Sequence, residues 1–113
     1  MLFRSVLPEK GAEIATLTCG ATQVLGRLRD TPAPDASYGT CFPGADEAAF
    51  NRWYAGGWQG LLPNGDAPCV VDGVRHSFHG ESWGRAWTVL RADDESSLLA
   101  VDIAHPQIGR AHV

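Results

Sequence analysis

An all-β fold of short antiparallel strands is the class this sequence predicts, on three observations. Apolar and polar residues alternate at period two in several short runs, turn-forming residues break those runs at short intervals, and no stretch sustains a long helical period. Short strands joined by turns in this way belong to antiparallel sandwiches and barrels.

Residues Leu2 to Leu7 alternate loosely, Pro8-Glu9-Lys10-Gly11 punctuates, and Ala12 to Cys19 alternates again, so the chain opens as strand, turn, strand. Gly20 breaks the pattern, and Gln23 to Leu28 reads as a third strand before the breaker-rich loop Asp30-Thr31-Pro32-Ala33-Pro34-Asp35. Periodicity is poor from Ser37 to Gly57. Within it Asp46 to Arg52 has the composition for one or two helical turns, kept short by Gly and Pro on either side. Trp58 to Leu62 is a short apolar run ended by Pro63-Asn64-Gly65-Asp66, where Pro presets one dihedral and Asn and Gly tolerate positive φ. Val70 to His76 predicts a hairpin with Asp72-Gly73 in its two-residue turn. Trp87 to Leu90 and Leu98 to Ile103 predict another across Asp93-Asp94-Glu95-Ser96.

The chain has 113 residues, 44% of them hydrophobic and 19% charged, a globular balance that fits neither a disordered nor a membrane protein. A net charge of −4 with scattered Arg residues gives no electrostatic footprint for nucleic acid. The first residues lack a charged start followed by a long apolar run, so the expected location is the cytoplasm, with no membrane partner. Cys19, Cys41 and Cys69 are widely spaced and odd in number, which argues against a disulfide framework or a zinc knuckle and predicts free thiols, buried or half-buried.

The six residues Ile108-Gly109-Arg110-Ala111-His112-Val113 match one reading frame of a widely used sequencing adapter, which runs on to a stop. The expectation is a partial domain over residues 1–107 followed by a foreign tail over 108–113, and such tails are kept out of fold reasoning.

The densest chemistry lies between Asn51 and Trp87, which hold all four Trp residues among Asn, Gln, His and Glu side chains. Aromatic faces beside hydrogen-bonding groups suit a sugar, whose C–H patches stack on rings while its hydroxyls need donors and acceptors together. Clustered Trp residues in a small β domain also make a core.

Gly56-Gly57-Trp58-Gln59 with Leu62-Pro63-Asn64, then His79-Gly80-Glu81 and Trp87, resembles the aldose 1-epimerase family of galactose mutarotase-like proteins. The opening Val6-Leu7-Pro8-Glu9-Lys10-Gly11-Ala12-Glu13-Ile14 is similar to that family's first strands, so the resemblance spans roughly residues 3 to 103. It implies the N-terminal part of a large antiparallel β-sandwich. The reaction it implies is interconversion of sugar anomers without a cofactor: a carboxylate takes the C1 hydroxyl proton while an imidazolium protonates the ring oxygen, and the opened sugar recloses on its other face.

By the resemblance, the catalytic His and Glu belong to sequence later than this chain, so no catalytic residue is assigned and the chain alone is expected to be inactive. His79 corresponds to the early His that holds the sugar near its ring oxygen, an imidazole suited by type to hydrogen bonding and proton assistance. Asn64, Gln59, Trp58 and Glu81 complete the expected sugar contacts, Glu81 as a partner for a nearby His or Arg. Better-known branches place an Arg in or beside the segment matched by Ala55 to Gly65; this chain has none there, which leaves Arg52 or Arg75 to reach in.

Two other readings compete. A sugar-binding module without catalysis needs the Trp residues and no acid–base pair. A cupin-like metal site could use His76, His79 and Glu81, although on an extended strand His76 and His79 point to opposite faces, and no metal ligand is assigned.

Overall fold

The computed structural model describes residues 2–35, 37–39, 42, 44–105 and 109–112, with 104–105 and 109–112 described by backbone alone. Among the described residues short antiparallel strands dominate, with one seven-residue α-helix, and the all-β class read from the sequence holds. β1 (Leu2–Leu7), β2 (Glu13–Cys19) and β3 (Thr22–Leu25) form a three-stranded sheet in that order. Three separate hairpins follow: β4 (Cys69–Val71) with β5 (Val74–His76), β6 (Thr88–Ala92) with β7 (Ser97–Ala100), and β8 (Asp102–His105) with β9 (Gly109–His112). The last of these carries antiparallel pairing into residues 109–112; Ile108 and Val113 lie outside the described residues.

The turn chemistry explains the hairpins. Asp72 and Gly73 both take positive φ, 49° and 79°, as a two-residue turn between right-twisted strands requires. Asp93 accepts from the backbone N–H groups of Glu95 and Ser96 at 2.8 and 2.7 Å, which closes the β6–β7 turn. The third strand is shorter than read from the sequence. It ends at Leu25, before Gly26, and Leu28 donates its N–H to Ala55 O at 2.7 Å, leaving the sheet for the segment that follows the helix. Of the apolar run 58–62, Trp58 alone joins a sheet, bridging Ile14 through two backbone bonds of 2.8 and 3.0 Å.

Helix α1 (Glu47–Trp53) starts where Asp46 accepts from Ala49 N at 2.9 Å, a side-chain N-cap, and its one buried face carries Phe50 and Trp53. These two with Ala45 and Trp83 form the main buried cluster, and Tyr38, Phe42, Tyr54 and Phe78 pack around it. Phe42, Phe50 and Tyr38 meet Trp83 edge-on at ring-centre distances of 5.1, 5.1 and 6.5 Å, the geometry that aromatic quadrupoles prefer. The core thus sits against the helix and the 77–84 turns, whereas β1, β4 and β6 are largely exposed. The radius of gyration, 14.8 Å, exceeds the roughly 13 Å of a compact domain of this length.

Burial corrects one expectation. Cys19 and Cys69 are exposed free thiols, because each sits at a strand end where nothing packs over it; Cys41 lies outside the described residues. Lys10 and Glu13, in contrast, are almost fully buried and paired at 3.0 Å across the turn that joins β1 to β2. A buried pair of this kind is tolerated because each charge supplies the other's partner, and it becomes costly when one is removed.

Candidate functional site

The site grows from two loops stitched together by hydrogen bonds. The 60–66 turn meets the 77–84 turns where Leu62 O accepts from Glu81 N and Ser82 N at 2.6 and 3.1 Å, and Ser82 Oγ accepts from Leu62 N at 2.9 Å while donating to Gly60 O at 2.5 Å. His79 N donates to Asp66 O at 2.8 Å, and Asn64 Nδ2 to Ser77 O at 3.0 Å. Gly80, at φ 74°, fits between them: a Cβ there would fall 2.3 Å from Leu62 O.

Residues 77–84 are therefore turns and a short 3-10 segment, Ser82–Gly84, rather than the continuing strand that the alternation argument assumed. His79 takes φ 57°, which lifts its ring out of the strand direction and onto the aromatic cluster. The ring meets Phe50 edge-on at 4.8 Å and lies 4.0 Å from Phe78.

Phe50, Tyr54, Gly57, Trp58, Gln59, Leu61 and His79 line one cleft of about 230 Å³. Of the expected sugar contacts, Trp58, Gln59 and His79 converge here. Trp58 is 63% exposed, held by its backbone bridge to Ile14 while its indole is left to solvent. Gln59 Oε1 and His79 Nδ1 are buried and, among the described residues, without a hydrogen-bond partner. Asn64 Oδ1 and Arg85 Nε, away from the cleft, share this state, so it does not by itself mark a ligand contact.

Asn64 and Glu81 stand elsewhere. Asn64 holds the turn through Ser77, and Glu81, buried, pairs with Arg85 at 3.6 Å, in keeping with its reading as a partner for a nearby Arg. Neither Arg52 nor Arg75 lines the cleft. Arg52 lies over the Trp53 ring at 4.9 Å, and Arg75 runs beside Gly44. Among the described residues no three His, Cys, Asp or Glu side chains group as a metal would need, and His76 is buried at the end of β5.

Phe50 and Tyr54 are the cleft residues that sequence reasoning passed over. Their i, i+4 spacing, with Phe50 on α1 and Tyr54 at its C-cap, stacks the rings 5.0 Å apart, a helical signal hidden inside a stretch of poor periodicity. Tyr54 donates its OH to Gly57 O at 2.9 Å and accepts Arg29 Nε on its carbonyl at 2.9 Å, so the wall is fixed at both ends. Beneath it Glu13 Oε1 accepts from Gly57 N at 3.2 Å, with room for no side chain: a Cβ on Gly57 would lie 2.4 Å from that oxygen.

Fold and cleft together define a class, a strand-dominated antiparallel β protein with an aromatic cleft built on loops. No protein-family model, curated protein or solved structure matches the chain. Among the described residues no helix is long and apolar enough to cross a membrane.

Proposed function

We propose that this chain is a sugar-binding part of an aldose 1-epimerase-like β-sandwich, and that it holds a single sugar ring in the Trp58 cleft. The observation that carries the reading is the exposed Trp58 indole beside Gln59 and His79 over one cleft. An aromatic face next to an amide and an imidazole offers stacking, donors and acceptors within one small space. The volume, about 230 Å³, lies below the roughly 300–1,000 Å³ of sites for drug-sized ligands, which favours one ring over an oligosaccharide.

Binding without catalysis is the activity this reading assigns to the chain itself. The cleft lining contains one imidazole and no carboxylate, so it supplies one proton-transfer group where ring opening needs an acid and a base together. The carboxylate beneath Gly57, that of Glu13, is engaged by Lys10 and by Gly57 N. In the resembled family the acid–base pair comes from later sequence. The chain alone is expected to bind galactose or glucose in a saturable way, read by Trp fluorescence, and to leave the polarimetric rate of their mutarotation unchanged. Acceleration by this chain would overturn the assignment of binding without chemistry, and absence of saturable binding would overturn the sugar site.

A further inference from the structure

A second cleft, about 360 Å³, lies between β1 and the β6–β7 hairpin. β1 pairs with β2 along one edge, and among the described residues no strand pairs with the other. The irregularity in that ladder falls where Ser5 faces Thr16 and Val6 faces Ile14, so the extra residue, Ala15, is on β2 and β1 keeps an unbroken repeat. The open edge lacks the usual guards against pairing: Leu2–Leu7 contains no Pro, no bulge and one charge, Arg4. Hairpin and strand are tied at the ends, by Trp87 N donating to Pro8 O at 2.8 Å and by Arg4 Nη2 donating to Glu95 O at 3.5 Å.

The lining specifies an occupant. Val89 and Leu99 are direct cross-strand partners and so share one face of the hairpin, giving the cleft an apolar floor flanked by Leu2 and Val6 of β1. Its charged residues are Arg4, Asp93 and Asp94, two carboxylates against one guanidinium. Asp93 spends its oxygens on the turn, whereas Asp94 is exposed and, among the described residues, holds no ion pair. A row of free backbone N–H and C=O groups at strand spacing is matched by another strand and by little else.

We propose that this cleft is a β-augmentation site for an extended peptide segment of a partner protein. The segment hydrogen-bonds to the open edge of β1, seats apolar side chains at alternate positions on Val89 and Leu99, and carries a Lys or Arg at the Asp94 end. The proposal is independent of the sugar cleft, which lies on other residues.

The test is fluorescence anisotropy of the full chain with a labelled peptide of alternating Val and Thr ending in Lys, beside one ending in Glu and one N-methylated at alternate positions. Saturable binding of the Lys peptide is expected, with loss on N-methylation and on Val89→Asp. Asp94→Lys, at an exposed position that leaves the fold intact by circular dichroism, is expected to weaken the Lys peptide about two- to fivefold, the range of an exposed ion pair, and to favour the Glu peptide. Equal binding of the N-methylated peptide, no effect of Asp94→Lys, or a stable dimer of the chain that the peptide does not displace would each overturn the proposal.

Discussion

Trp58 and Trp83 share a residue type and differ in what surrounds them, and the difference decides their roles. Trp83 is 1% exposed within a ring of aromatic neighbours and donates its indole N–H to Phe78 O at 3.0 Å; Trp58 shows most of its surface to solvent. Trp83→Ala should therefore cost about 3–5 kcal/mol of stability, as removal of a buried aromatic does. Trp58→Ala should change stability by less than about 0.5 kcal/mol while abolishing sugar binding. Chemical denaturation and a fluorescence titration of both variants check the pair of outcomes. Gly57→Ala forces a methyl group onto the buried Glu13 carboxylate and should destabilise by about 1–3 kcal/mol, measured by the same unfolding curve. At this scale the sequence placed Trp58, Gln59 and His79 in one chemistry-rich stretch but could not sort Trp58 from Trp53 and Trp83. That sorting is made by α1 and the 77–84 turns, which bury two of the rings. The Lys10–Glu13 pair was equally hidden, since nothing local shows that a charged turn will be covered.

Among the elements, the hairpins were legible because their turn residues act locally: Asp72-Gly73 supplies positive φ, and Asp93 binds its own turn. The helix was legible at its start, where Asp46 caps it, and Asp46→Ala should lower stability by about 1 kcal/mol in thermal unfolding. The β6–β7 turn carries a pH dependence. Hydrogen bonds from the Ser96 and Glu95 backbone, chiefly, hold the exposed Asp93 carboxyl below its ordinary value near 3.8. A depressed folded-state pKa means that the stabilisation is present above the unfolded value and is lost as pH falls through the folded one. The Glu95 and Ser96 amide resonances should thus titrate together with a midpoint below 3.8, and a midpoint at or above it contradicts the turn as described. The 77–84 stretch and the third strand were misread for a common reason. Alternation reports which faces residues prefer, whereas His79 at φ 57°, Gly80 at φ 74° and the bond from Leu28 to Ala55 are set by chain segments distant in sequence.

Over the whole molecule, apolar side chains stand on the outside of the strands: Leu2, Phe3, Val70, Leu90 and Leu98 are all at least half exposed. Such surfaces with open strand edges favour association. The chain is expected to show concentration-dependent self-association in light scattering, reduced by Phe3→Lys; a sharp cooperative melt of pure monomer at high concentration contradicts this. The fold class was legible because period and turn chemistry are local, and the location of the core was not, because it depends on which faces meet.

The most direct test of the sugar cleft is a ¹H–¹⁵N correlation spectrum of the chain titrated with galactose. Saturable shifts confined to residues 50, 54, 57–61 and 79, absent in Trp58→Ala, are the expected result. Unchanged spectra at saturating sugar, or shifts spread over the exposed strands and retained in that variant, would contradict it.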